Sequence, residues 1–322
     1  PDGATVRLKA LLPAQRDWQK PTPQMIHAGR AVRWLKKRGS WLLKDPVLKL
    51  FFEQAERTRE MLPALCRKLT NINENIQPAI PRLEITSFGD VVVRHNQRVV
   101  ELSDWRTREA RDLFLFLLQS PALTKEQIAV VFWPDISPAR LKMRFKINIY
   151  RIRQAIGQDA IVFEDDRYRF NRMINYNWDR EKFDKLFEKL QGNVVGTEKR
   201  RLLERAVALI KGDYLADLDA DWTVLDRLRY QEISRYIMLQ LAAIYLQEGR
   251  AHDCLNIARR VLQSDSLLEA AHRLIIQAYA SLHDPANMTL QYRQYRQSLE
   301  DQLGLQPSLE ISTLYEQLMA AI

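Results

Sequence analysis

Six basic residues and no acid fall within Ser137 to Gly157, SPARLKMRFKINIYRIRQAIG: Arg140, Lys142, Arg144, Lys146, Arg151 and Arg153. At 100° per residue, Phe145, Ile149, Ile152 and Ile156 share one narrow stripe, which predicts an amphipathic helix with that stripe packed inward. Arg140, Met143, Ile147, Tyr150, Arg151 and Gln154 point away from it, with Arg144 beside them. Lys142, Lys146 and Arg153 line the other flank. Cationic edges around a mixed apolar and polar centre suit a helix in a DNA major groove, with phosphates at the edges and base edges at the centre. A solvated basic face is the bland alternative.

If the helix enters a groove, roles divide by chemistry. A guanidinium bridges guanine O6 and N7, so Arg140, Arg144 and Arg151 are candidates for base contact and Lys142, Lys146 and Arg153 for phosphate. Ile147 has the chemistry to touch a thymine methyl, or to pack against a neighbour, and Tyr150 lies on the same face. Arg167 and Arg169 alternate on a later strand, where they would reach a minor groove or phosphates, or pair with Glu164 to Asp166. Arg106 and Arg108 open an earlier helix, where a cation opposes the dipole; that misfit points to phosphate.

These residues need elements to hold them. After Pro81 the apolar period is two: Leu83, Ile85 and Ser87 form one strand, Val91 to Val93 a second and Val99 to Leu102 a third, with HNQ as a turn. Helical period returns in Thr107 to Gln119, with Ala110, Leu113, Phe114, Leu117 and Leu118 on its apolar face. Thr124 and Gln127 form a capping box for a short second helix ended by Pro134. Ser137 as N-cap and Pro138 at the first position start the basic helix. IVFEDDRYRF then reads as a hairpin around Asp165-Asp166, and three helices followed by a hairpin make a winged helix.

Residues 1–81 read as helices with Pro-marked breaks, Gln24 to Arg38 and Pro46 to about Asn75 among them, followed by a linker at NENIQPAIP. They carry 15 Lys+Arg against 7 Asp+Glu (+8), residues 82–177 carry 16 against 12 (+4), and residues 178–322 carry 18 against 21 (−3). A polyanion would favour the first two segments. The chain starts PDGATVRLKA, without an initiator Met, which suggests a piece of a longer protein with an upstream region. Cys66 and Cys254 are too far apart in sequence to argue a disulfide framework. No apolar run is long enough for a membrane span, and a reducing cytoplasm is the simplest home. The five histidines lack metal spacing and no Walker, nucleophile-elbow or dinucleotide pattern occurs, so no catalytic site, metal or cofactor is expected.

Strands, TREARDLFLFLL, TKEQIAVVFWPD, the basic helix and a wing together resemble the DNA-binding domain of the SARP family of bacterial antibiotic-pathway regulators, a branch of the OmpR-type winged helices. Arg108 or Arg111, Phe132-Trp133 and Arg151-x-Arg153 match the family pattern, whereas Ile147 stands where a small polar residue is common. Downstream, ALIKGDYLADLDADW resembles the opening of the bacterial transcriptional activation domain that follows in that family, and Leu303-Gly304-Leu305-Gln306-Pro307-Ser308 fits its L-G-x-x-P-S. Tyr245 and Tyr279, Gly249 and His283, and Ala258 and Tyr292 repeat at the tetratricopeptide period.

The expected fold is mainly α: an N-terminal helical segment at 1–81, a winged helix-turn-helix with small antiparallel β elements at 82–177, and tetratricopeptide-like helical repeats at 178–322. The resemblance implies a non-enzymatic, sequence-specific regulator, an activator that binds double-stranded promoter DNA at direct repeats as a homo-oligomer and assists RNA polymerase at the nucleoid. The rivals are a repressor and a protein-interaction scaffold whose winged helix no longer reads DNA.

Overall fold

The computed structural model describes residues 82–321. The helices and linker expected before Arg82, and Cys66, lie outside the described residues. These fall into two compact units, one holding 82–84 and 93–177, the other 85–92 and 178–321.

Three short strands open the chain: β1 (Leu83–Thr86), β2 (Val92–His95) and β3 (Arg98–Val99). Asn96 and Gln97 both take positive φ, as a two-residue turn matched to strand twist requires, and pair Arg94 with Val99 and His95 with Arg98. The third strand is shorter than its apolar residues suggest. Leu102 instead begins a one-turn helix, α1 (Leu102–Trp105), because the Asp104 carboxylate accepts the Glu101 N–H at 2.9 Å and the turn drives Trp105 into the core, stacked on Phe114.

Three longer helices follow: α2 (Arg108–Gln119), α3 (Lys125–Phe132) and α4 (Pro138–Ile156). Thr107 caps α2 through its side chain, and Thr124 and Gln127 form the expected box on α3. Ser137 occupies the N-cap position of α4, but its side chain makes no capping bond; Pro138 supplies the helical φ. The five apolar residues predicted for α2 are fully buried, and Phe145, Ile149, Ile152 and Ile156 of α4 are buried as their spacing requires.

Gly157 ends α4 at φ +108°, and a Cβ there would sit 2.0 Å from the Arg82 guanidinium. That guanidinium grips Asp159 at 2.5 and 2.6 Å and donates to the Ile156 carbonyl at 3.1 Å, so a cation closes the negative end of the helix.

β4 (Ile161–Glu164) and β5 (Arg167–Phe170) form an antiparallel wing whose turn residues Asp165 and Asp166 both have positive φ. Leu123 adds itself to the wing through two backbone bonds with Tyr168, 2.7 and 3.0 Å. β6 (Tyr176–Trp178) completes a four-stranded sheet of order β3-β2-β1-β6.

The second unit is built of α5 (Asp179–Leu190), α6 (Gly196–Leu209), α7 (Asp221–Gln247), α8 (Ala251–Ser264), α9 (Glu269–Ser281), α10 (Pro285–Leu303) and α11 (Leu309–Ala321). Residues 85–92 belong to it. The buried Asp179 carboxylate accepts the Ser87 and Phe88 amides at 2.7 and 3.1 Å and the Ser87 hydroxyl at 2.5 Å. Phe88 lies among Phe183, Tyr214 and Tyr230, with ring centroids 4.8, 5.7 and 5.4 Å away. The Arg180 guanidinium lies over Trp178, Tyr214 and Tyr230 and donates to both phenol oxygens.

The repeat reaches the backbone. Gly249 and His283 close α7 and α9 with φ of +74° and +53°. In each case the next amide bonds the tyrosine carbonyl, Arg250 to Tyr245 at 2.8 Å and Asp284 to Tyr279 at 3.0 Å. A left-handed residue followed by this bond is the glycine-type helix stop, here repeated with a histidine in the second copy. The array packs helix on successive helix, and Tyr295 and Tyr292 serve packing: Tyr295 stacks on the buried His272 and Tyr292 on Tyr315.

Candidate nucleic-acid interface

The buried side of α4 fixes which of its side chains are left to act. Asn148, fully buried, points to α2 and donates to Glu109, which also receives two bonds from the Arg144 guanidinium. Arg144 lies over the Trp133 ring at 5.5 Å from its centroid. Burial pushes the Glu109 carboxyl up, but the bonds from Arg144 and Asn148 and the Arg144 charge help to hold the group below the ordinary glutamate value of 4.5.

Glu109→Gln should therefore cost the first unit about 1–2 kcal/mol at pH 7, since the cluster loses its charge-assisted acceptor at a half-buried site. The sign with pH follows from a depressed carboxyl: its stabilisation is complete above pH 4.5 and disappears as pH falls through the folded-state value. Urea unfolding of the two proteins should differ at pH 7 and converge in acid; a constant gap would show that Glu109 acts through packing alone.

The other predicted cations divide in the same way. Arg151 donates to the Thr107 hydroxyl at 3.4 Å and Arg153 to the Ile161 carbonyl at 2.9 Å, tying α4 to α2 and to the wing. On the wing, Arg169 pairs with Glu164 at 2.9 Å and Arg167 donates to the Ala122 carbonyl at 3.2 Å. Arg144, Arg151, Arg153, Arg167 and Arg169 thus already hold partners within their own unit. Arg140, Lys142 and Lys146 are exposed on α4 and make no hydrogen bond or ion pair among the described residues, and the same holds for Arg106 and Arg108 at the start of α2. Arg106 has φ +67°, a strained position between α1 and α2.

Between these cations α4 exposes apolar surface: Met143 is 63% exposed, Ile147 41% and Tyr150 62%. Phe163 of the wing is exposed as well, resting against Tyr168. Glu109 and Asn148, joined to each other and through Glu109 to Arg144, are neighbours of the predicted cations that charge counting alone passes over. The signal available in the sequence was Asn148, a polar residue one turn before Ile152 on the buried stripe. Trp105, Trp133 and Trp178 are buried, and Trp222 is partly so. No group of His, Cys, Asp and Glu among the described residues has the arrangement of a metal site.

Residues 181–319 match the family model of the bacterial transcriptional activator domain. The second unit thus carries the domain by which bacterial transcriptional activators are recognised. Its fold is similar to that of EmbR from Mycobacterium tuberculosis, solved in complex with a low-affinity phosphopeptide, with a TM-score of 0.55 and 17% sequence identity. The similarity covers 75% of this chain and 66% of that one, so the chain spans just under two thirds of the length of that structure. No curated protein matches the sequence. The winged helix precedes the activator domain, the order that the sequence resemblance implies, and the fold is mainly helical with small antiparallel strands. No helix among the described residues is long and apolar enough to cross a membrane.

Proposed function

We propose that this chain is a SARP-type regulator that binds double-stranded promoter DNA by laying α4 in the major groove, and activates transcription by assisting RNA polymerase. The supporting observation is the division of labour on α4. The arginines nearest α2 and the wing lock the helix in place, while Arg140, Lys142 and Lys146 stay unengaged around the exposed Met143, Ile147 and Tyr150. In this reading Arg140 bridges guanine O6 and N7, and the two lysines meet phosphates. Arg106 and Arg108 supply further phosphate contacts. Arg144, Arg151 and Arg153 act chiefly as positioning residues, and Arg167 and Arg169 bring the wing near the backbone.

In this reading residues 82–177 recognise DNA in the cytoplasm, at the nucleoid. The repeats at 178–322 join protomers on direct repeats and touch the transcription machinery. EmbR carries the same fold, which is consistent with the reading.

The test is selection from a random-core duplex library with the whole chain, followed by a salt series on the enriched duplex. A repeated motif, bound with a steep negative dependence on salt, is the expected result. Transcription in vitro with purified RNA polymerase then gives the sign, and a rise in promoter-specific transcript supports an activator. Binding without preference for any duplex would sink the proposal and leave a repeat scaffold in its place.

A further inference from the structure

Resting on the reading of α4 as the groove helix, we propose that its exposed centre selects thymine through the 5-methyl group, with Met143 and Ile147 as specificity-determining residues and Tyr150 extending the row. These three large side chains stay substantially exposed, Ile147 the least of them. They recur at i, i+4 and i+7, so they form one line along the helix. At 1.5 Å per residue that line is about 10 Å long, close to three base steps at about 3.4 Å each.

Helix α4 contains no acid, and Lys142 and Lys146 flank the apolar row on one side with Arg140 at its N-terminal end. A protein partner for such a face would have to be apolar at the centre and strongly acidic around it. Duplex DNA meets both demands at once. Its phosphates are the anions, and thymine supplies the apolar group on a major-groove base edge. Cytosine offers an amino donor at the neighbouring position and no methyl, so Met143 and Ile147 would leave that donor unpaired. Arg140, one turn before Met143, places a guanine contact at one end of the thymine-bearing steps.

The proposal differs from a general claim of DNA binding because it depends on a single carbon. Starting from the duplex that selection enriches, each dT is replaced in turn by dU, which removes the methyl and keeps the base pair. The expected result is a loss of about fourfold in affinity at each of two or three neighbouring positions, the value of one buried methyl, and little change elsewhere. In the Ile147→Ser and Met143→Ser proteins, the corresponding dT and dU duplexes should bind alike. Both side chains are exposed, so unchanged thermal unfolding should accompany the change.

Specific binding that ignores every dT to dU replacement would overturn the methyl proposal and leave α4 as the reader. Retained dU sensitivity in both serine variants would overturn the assignment to these residues. Absence of any sequence preference would defeat the underlying DNA reading itself, and would favour a protein on the apolar face.

Discussion

Truncating Phe88 to alanine should destabilise the second unit by about 3–5 kcal/mol, the usual cost of removing a buried phenyl ring. Phe88 is only 1% exposed and contacts Phe183 of α5, Tyr214 of the segment before α7, and Tyr230 of α7. These aromatic rings also hold one another, with Tyr214 and Tyr230 4.7 Å apart, and the Arg180 guanidinium lies against both. Collapse around the void is opposed by the backbone, because Leu215 donates to the Ser87 carbonyl at 2.7 Å and Gly89 to the Asp213 carbonyl at 2.8 Å. A cavity that cannot close carries the larger cost. Hydrogen exchange read at α5 and α7 checks it: their amides should lose protection in the variant, while those of α2 and α4 should change much less. Equal loss throughout would mean that the two units unfold as one. By the same reasoning a fragment beginning at Trp178 lacks Phe88 and the Asp179 partners, and should be less stable than one that begins at Arg82.

Replacing Lys142 and Lys146 together by alanine should lower affinity for the selected duplex by about 30-fold at 0.15 M salt, if each neutralises one phosphate. The same release of counterions predicts a salt slope about 1.8 units shallower than that of the parent protein. Neither lysine packs in the core or pairs with an acid among the described residues, so stability should hardly move. The loss should be nearly uniform over different duplexes, since phosphate carries no sequence. Arg140→Ala should behave differently, relaxing preference at one position. Titrations at several salt concentrations separate these cases. An unaltered slope in the double variant would place both lysines away from the backbone.

Much of the scaffold was legible in the chain because its signals are local. The period of Phe145, Ile149, Ile152 and Ile156 required a buried stripe, the box of Thr124 and Gln127 marked a helix start, and the 34-residue echo extends to the left-handed backbone at Gly249 and His283. Features that depend on distant partners were not. Alternating apolar residues from Leu83 look the same whatever covers them, so nothing local assigns residues 85–92 to the second unit. Arg144 looked like a base-reading cation because its acid, Glu109, lies 35 residues upstream on another helix. Arg153 meets a backbone carbonyl, which every residue carries and no sequence pattern flags. Leu102 was misplaced on a strand because a one-turn helix is too short to show a period.

The placement of residues 85–92 also orders events during synthesis. Ser87 meets Asp179 across 92 residues of chain, and Val91 meets Asp217 across 126. At a ribosomal rate of about 5–20 residues per second, the segment waits roughly 6–25 s before Asp217 is made. During that interval Phe88 is an unshielded aromatic on the nascent chain. The second unit is therefore completed from its oldest segment, and a slowed ribosome or an early stop between Trp178 and Tyr230 would leave that segment exposed to chaperones and proteases.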